Sequence, residues 1–295
     1  MTKLFTLMAL AAICQSANGQ TEPGKESDTI RIGNIIITKQ GNKSNDDDKD
    51  RDRDKDFSTH VTWGKNHSKP GNVSTNWGIV DLGFANYSDE TNYALAGSYL
   101  YNRAGTVALG KGDFKLNVGK SVNVNIWFFM QRLNLIKQHV NLKYGLGLEL
   151  NNYRYRSSAN ISYLEQNPYQ AGQSNSPLII RDSIHFSKNK LAADYVTVPL
   201  MLNFSTSPGY TNKGLSLSAG ISAGYLYSQR NKQVSSERGK QKNGGDYDLE
   251  RFKLSYVAEI GLGPVRLYGS YSPKSFYSTG LNMKPYTVGV RLSNW

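Results

Sequence analysis

Eight stretches of the chain alternate apolar and polar residues with a period of two. The clearest spans residues 215–228, where leucines, alanines and tyrosines at odd positions oppose mainly serines and glycines at even positions. Successive side chains of a β-strand point to opposite faces, so the pattern predicts strands with one apolar and one polar face. A soluble sandwich could show this alternation too, but several stretches reach the roughly 9 to 11 residues that a tilted strand needs to cross a bilayer.

The predicted fold class is therefore all-β: an eight-stranded antiparallel up-and-down transmembrane β-barrel with a short disordered N-terminal periplasmic lead. An even number of strands is normal for bacterial single-chain barrels. The predicted strands lie at residues 77–84, 122–131, 141–151, 195–204, 215–228, 253–262, 265–272 and 286–293.

The gaps between these strands alternate in length, as expected of barrels with short periplasmic turns and longer outer loops. Short gaps lie at residues 136–139, 205–213 and 263–264, and longer gaps separate them. Both termini then face the periplasm. Aromatic residues near the strand ends would suit the interfacial girdles of such a barrel. They are Trp77, Trp127, Tyr153, Tyr155, Tyr225, Tyr227 and Tyr271.

The N-terminus has the pattern of a secretory signal peptide over residues 1–19. Lys3 precedes an apolar segment, and small residues follow at Ala17 and Gly19. A transmembrane helix is the competing interpretation, but the apolar segment is too short to span a bilayer. A lipoprotein anchor at Cys14 is another, although Ile13 occupies the place of the expected small residue. If Cys14 leaves with the signal, disulfides play no part.

Residues 20–56 are predicted to form a periplasmic β segment followed by a disordered acidic linker, and residues 57–295 the barrel. Residues 29–39 (TIRIGNIIITK) have high β propensity around a Gly33-Asn34 turn, which suits either a small hairpin or pairing with a partner. Residues 46–56 place Asp at every second position, as calcium loops do, but the sharp-turn Gly and distal Glu of such loops are missing. A solvated linker is the preferred interpretation.

Basic residues outnumber acidic ones by 35 to 23, giving a formal net charge of +12. Residues 20–56 carry eight Lys or Arg against ten Asp or Glu, so the basic excess belongs to the predicted barrel and its loops. One long gap forms a basic loop that would attract anionic lipopolysaccharide or another polyanion. A loop kept basic for solubility is the alternative. The basic-loop residues are Arg230, Lys232, Arg238, Lys240 and Lys242.

Placing the apolar faces outward brings charges of both signs into the barrel interior. An eight-stranded barrel is just wide enough for side chains to fill, and opposite charges there should pair because an unpaired buried charge is costly. We expect a packed polar core, with a narrow ion path as the alternative. The predicted lumen charge network comprises Asp81, Lys143, Glu149, Lys253, Glu259, Arg266 and Arg291.

Catalytic, metal and cofactor chemistry finds little support in the sequence. Of the four histidines, only His185 lies in an outer loop beside candidate partners, Asp182 and Ser183. Neighbours in sequence do not form a nucleophile, base and orienting group, so no catalytic residue is assigned and no enzyme is predicted. Phosphate-binding glycine loops and zinc-ligand spacings are missing, so no metal or cofactor is expected. Nor does the basic charge come with a nucleic-acid-binding module.

Residues 120–155 (KSVNVNIWFFMQRLNLIKQHVNLKYGLGLELNNYRY) and 195–204 (YVTVPLMLNF) resemble the PorT-like outer-membrane β-barrel family of Bacteroidota, as does the TIRIGNIIIT segment before an acidic linker. The resemblance implies an outer-membrane barrel of OmpX-like or OmpA-like outline. One member of that family assists type IX protein secretion. The ending PYTVGVRLSNW resembles the C-terminal signal read by the barrel-assembly machinery, although Trp295 departs from the parity of the preceding strand.

We therefore expect a monomeric, non-enzymatic outer-membrane protein whose basic outer loops contact lipopolysaccharide or an envelope protein. The rival hypothesis is a narrow pore or an accessory component of protein secretion.

Overall fold

The computed structural model describes residues 29–32, 35–39, 59–63, 71–95, 99–102, 104–156, 160–164, 178–207, 214–262 and 265–292. The predicted signal peptide, the acidic run at 46–56 and Trp295 lie outside the described residues. Among the described residues, no helix is long and apolar enough to cross a membrane. The chain divides into two units, Met1–Lys69 and Pro70–Trp295.

The first unit contains a small antiparallel sheet of three strands, β1 (Thr29–Ile32), β2 (Ile35–Lys39) and β3 (Thr59–Trp63), in the order β1-β2-β3. The hairpin interpretation of residues 29–39 agrees with the pairing of β1 and β2. Residues 59–63, within the range predicted for the barrel, belong to this small sheet, and the first ring strand begins at Val73. Residues 59–63 (THVTW) are rich in β-branched residues, and their backbone pairs with β2, with Ile37 opposite Val61.

Eight antiparallel strands of the second unit form a closed ring, as the sequence predicted. Every strand pairs with its neighbour along the ring, and the last pairs with the first to close the sheet. In ring order the strands are β4 (Val73–Asp89), β6 (Val122–Ile136), β7 (Val140–Arg154), β10 (Lys188–Ser205), β11 (Leu215–Ser235), β13 (Phe252–Leu262), β14 (Val265–Tyr271) and β15 (Met283–Leu292).

The alternation of the sequence decides which face of each strand points outward. Apolar side chains such as Leu82, Leu200 and Leu254 are exposed on the outer face. Their polar neighbours, including Asp81 and Ser255, are buried inside. A ring of this kind has no free strand edge between its members, and its apolar outer face suits the hydrocarbon core of a bilayer.

Local irregularities shift the alternation at two predicted positions. Met130 was expected on the outer face, but it is fully buried because the pairing of β6 with β7 shifts by one residue at Phe128, a β-bulge. Trp77, one of the predicted girdle residues, is 70% exposed, although the parity of Asp81 would place it on the inner face. The adjacent Gly78 has a φ of +66°, a left-handed backbone conformation that residues with a side chain rarely adopt. This conformation interrupts the alternation of the strand.

The long gaps are more structured than the sequence suggested. The first, second and third contain further strands: β5 (Leu100–Tyr101), β8 (Ile161–Leu164), β9 (Leu178–Arg181) and β12 (Gly239–Gly244). β5, β9 and β8 form a separate small sheet, whereas β12 extends the main sheet by pairing with the end of β11. The predicted basic loop is therefore largely a β-hairpin, which we call the basic hairpin (residues 230–244).

Candidate functional site

Five of the ring strands place the seven predicted lumen charges on the inner face. Each of the seven residues is at most 8% exposed. They come from β4, β7, β13, β14 and β15, and each shares its inward parity with small or amide side chains of the same strand.

Arg291 on β15 occupies the centre of this network. Its Nε and Nη2 donate to the two carboxylate oxygens of Asp81 at 2.6 and 2.7 Å, a bidentate arrangement. Its Nη1 donates to Glu259, and its guanidinium carbon lies 5.3 Å from the Trp127 ring centroid. One cation thus holds two carboxylates and stacks on an aromatic ring.

The two lysines of the network, Lys143 and Lys253, each form an ion pair with a glutamate. Lys143 forms an ion pair with Glu259, and Lys253 forms one with Glu149. The Lys253 ammonium also lies 4.5 Å from the centroid of the Tyr195 ring. Arg266 donates to the Ser216 hydroxyl at 2.9 Å.

Sequence reasoning missed the neutral groups that complete these contacts. Trp127 Nε1 donates to Asp81 at 2.7 Å, and Asn125 Nδ2 donates to the same carboxylate at 3.1 Å. Asn123 then joins Asn125 to Asn151 through donations at 3.1 and 2.8 Å. All four share the inward parity of the charged residues on β6 and β7, and that parity was the available signal.

The lumen is filled around these side chains. A cavity of about 30 Å³ remains between Trp127, Glu149, Glu259 and Arg291. This volume accommodates about two water molecules, since each needs about 10 to 15 Å³.

An aromatic cluster closes the barrel at the end that carries the long gaps, and we call it the outer cap. It is built from strand ends and loop residues that are at most 9% exposed. Its aromatic members are Tyr87, Tyr99, Phe114, Tyr153, Tyr155, Tyr163, Tyr195, Tyr247, Phe276 and Tyr277. The girdle prediction was wrong for Tyr153 and Tyr155, which lie in the cap, and for Trp127, which lies in the lumen. It agrees with the exposure of the remaining four, which are Trp77, Tyr225, Tyr227 and Tyr271.

Three tyrosine hydroxyls form a buried chain within the outer cap. The hydroxyl of Tyr163 contacts that of Tyr155 and, at 2.6 Å, that of Tyr277. Burial raises the pKa of Tyr155 to about 12, although hydrogen bonds from the other two hydroxyls lower it partly. Burial also raises the pKa of Tyr163 and of Tyr277 well above the usual value.

Two arginines, Arg181 and Arg238, form ion pairs between segments around the outer cap. Arg181 on β9 donates to both carboxylate oxygens of Asp113 at 2.7 and 2.8 Å. Asp182 accepts from Ser162 at 2.8 Å and from Arg238, in the turn of the basic hairpin, at 3.1 Å.

Asp182 is the acid that was a candidate partner of His185, and its carboxylate is occupied by Ser162 and Arg238. His185 is exposed, and no hydrogen bond among the described residues joins it to Asp182 or Ser183. In the part of the chain that the structure describes, no group of three or more His, Cys, Asp or Glu residues could hold a metal ion.

The five basic-loop residues occupy different positions in the basic hairpin. Arg230 and Lys232 lie on β11, Lys240 and Lys242 on β12, and Arg238 in the turn between them. Arg230 forms an ion pair with Asp194 of β10. Lys232 pairs in register with Lys242 on one side and with Lys190 on the other.

The register continues this series onto a fourth strand, because Lys190 also pairs with Arg154 of β7. We call Arg154, Lys190, Lys232 and Lys242 the cationic row. The sequence did not indicate the row, because its members are far apart in the chain and only strand pairing brings them together.

A closed antiparallel ring with an apolar outer face and a charged, packed interior defines a transmembrane β-barrel. The family model for the outer membrane protein beta-barrel domain matches residues 82–282. The chain therefore belongs to this family and is an integral protein of the outer membrane.

Among solved structures, the chain is similar to Ail, the attachment invasion locus protein of Yersinia pestis, in a complex with the heparin analogue sucrose octasulfate. The sequences are 12% identical, the match covers 74% of this chain and 99% of Ail, and the TM-score is 0.29. A comparison with curated proteins finds no match.

Proposed function

We propose that this protein is a non-enzymatic envelope protein whose closed barrel holds a basic surface above the outer leaflet, where the surface binds phosphate groups of lipopolysaccharide. The proposal includes a cleaved signal peptide at residues 1–19 and membership of the PorT-like group, which the resemblance of residues 120–155 suggests. The observation that carries it is the cationic row.

The cationic row places like charges directly opposite one another on four adjacent strands. Like charges at opposed positions of a sheet destabilise it by roughly 0.2 to 1 kcal/mol per pair. Lys188 and Lys240 add a second basic level, since both are in register with Val234 between them. A polyanion bound on this face would offset the repulsion.

The cationic row faces outward, toward the level where lipid headgroups lie. The pairing of β10 with β11 shifts at Tyr227, so that Asn231 and Gln233 point inward and Lys232 points outward. Below it on β11, the apolar outer face ends at Tyr225 and Tyr227, which suit a membrane interface. The row therefore lies beyond the apolar band, on the side of the long gaps.

The filled lumen argues against the rival hypothesis of a narrow pore. An ion path needs a continuous aqueous route, whereas the lumen charges contact one another around a cavity of about 30 Å³. No contact among the described residues favours an accessory role in protein secretion.

Binding to lipopolysaccharide by the mature protein in detergent micelles tests the proposal. Each cation near an anionic surface contributes about 1 kcal/mol, so Lys232→Gln with Lys242→Gln should weaken binding about 25-fold. The wild-type affinity should fall as ionic strength rises. Lys137→Gln, in the exposed short turn at the other end of the barrel, is the matched control and should leave binding unchanged.

A stability measurement on the same variants separates binding from misfolding. Relief of like-charge repulsion should leave the Lys232→Gln barrel as stable as the wild type or slightly more stable. Unchanged lipopolysaccharide affinity in the stable double variant would refute the proposal.

A further inference from the structure

A cleft opens in the barrel wall where β4 and β6 separate. The two strands pair as far as Phe84 and Val122, and one further bond joins Ala85 N to Ser121 O at 3.2 Å. Beyond it the chain turns at residues 118–120 and pairs instead with the continuation of β7, where Leu116 bridges to Tyr155. This divergence leaves a cleft of about 330 Å³ beside the upper end of β4, which we call the β4 cleft.

The floor of the β4 cleft is apolar and its rim is basic. Phe114 and Leu116 are buried at the floor, and the Tyr87 hydroxyl donates to the carbonyl oxygen of Phe114. Three cations line the cleft, namely Lys111, Lys115 and Arg156, together with one carboxylate, that of Asp89.

The contacts around the cleft leave two of these cations available to a ligand. The Asp89 carboxylate accepts from Thr91 N at 3.0 Å and from the Tyr93 hydroxyl at 2.7 Å, and Lys111 donates to the Asp89 carbonyl at 3.1 Å. Among the described residues, neither the Lys115 ammonium nor the Arg156 guanidinium has a side-chain hydrogen bond or ion pair. Both are exposed and lie on paired backbone, where Arg156 N donates to Lys115 O at 3.0 Å.

The position of the cleft indicates which anion reaches it. Phe84 and Leu82 lie on β4 two and four residues before Asn86 of the cleft. The side chains of both are more than half exposed on the lipid-facing side. The cleft therefore opens immediately beyond the apolar band, at the level of the outer-leaflet headgroups. Its volume lies at the lower end of the range for small-molecule sites.

We infer that the β4 cleft binds the phosphorylated sugar headgroup of an outer-leaflet lipid. Lys115 and Arg156 contact the phosphate, the amide of Asn86 lies beside the sugar hydroxyls, and the sugar ring covers the apolar floor. The cleft shares no lining residue with the cationic row, whose members lie on an open sheet face.

Binding of diphosphoryl lipid A to the full mature protein in detergent micelles tests the inference. Lys115→Gln with Arg156→Gln should weaken binding about 25-fold, at about fivefold per cation. Val118→Trp fills the half-exposed rim of the cleft without changing its charge and should weaken binding at least tenfold. Its control is Val107→Trp, at an exposed loop position outside the cleft, which should bind as wild type does.

The outcomes separate this inference from the proposed function. Loss of lipid A binding in both cleft variants, with wild-type binding in Val107→Trp, supports the cleft whether or not Lys232→Gln with Lys242→Gln also loses affinity. Wild-type affinity in a correctly folded Val118→Trp protein overturns the cleft whatever the hairpin variants do. Competition by millimolar inorganic phosphate that abolishes lipid A binding would show a free-phosphate site and would also overturn the lipid assignment.

Discussion

Removal of Arg291 should destabilise the barrel more than any single loss of a surface ion pair. The Arg291→Met variant keeps an unbranched side chain but takes away two charge-assisted hydrogen bonds to Asp81 and the contact with Glu259. The side chains of these three residues are at most 4% exposed. Breaking a buried pair by removing one partner typically costs about 3 to 5 kcal/mol, because the remaining charge stays buried without compensation. We expect a loss of that size in the free energy of unfolding.

Urea titration of the protein in micelles, followed by the heat-modifiable gel shift of folded barrels, measures this loss. The matched control is Lys274→Met, which breaks an exposed pair with Glu250 and should cost less than about 1 kcal/mol. Asp81→Asn with Arg291→Met should cost at least about 1 kcal/mol less than the sum of the single variants, since the two residues are in direct contact. A loss for Arg291→Met no larger than that of the control would refute the reasoning, because it would mean that water screens the lumen charges.

Three further outcomes are expected. Leu200→Arg should lower barrel stability by about 2 to 4 kcal/mol, because it places a cation on the lipid face. The control Leu95→Arg, at an exposed loop position, should leave stability unchanged. Equal folding yields of the two variants in vesicles would invert the assignment of the faces. Protease added to intact cells should cut the turn at 236–238 and spare the turn at 137–139, and the reverse pattern would invert the topology. The pKa of Tyr155 is about 12 in the folded protein and about 10 in the unfolded chain, so the unfolding free energy should be constant below about pH 10 and fall as the pH rises through 12. Urea midpoints between pH 8 and pH 12 check this, and a midpoint that does not fall would contradict it.

Local sequence patterns are sufficient where the structure depends on backbone geometry alone. Period-two alternation predicted all eight ring strands and their inward faces, because parity along a strand depends only on backbone geometry. It failed at Met130 and Trp77, where a bulge and a left-handed glycine change the parity. Such irregularities depend on pairing with neighbouring strands, which no single stretch of sequence shows.

The outer end of the barrel was the least predictable part. Tyr153 and Tyr155 carry the inward parity of Lys143 and Glu149, so their burial could have been anticipated from β7 alone. Their partners in the outer cap, such as Tyr277, come from a distant loop. Loop sequences have no fixed period, so the cap could not be derived from alternation.

The sequence by itself determined that this chain crosses the outer membrane as a barrel, because side chains must alternate between lipid and interior in every spanning strand. It also determined which charges lie inside. Only the tertiary structure decided which of those charges meet, since Arg291 and Asp81 are brought together by closure of the ring between β15 and β4. The same holds for the cationic row and the β4 cleft, whose members are adjacent only through strand register and through the point at which two strands separate.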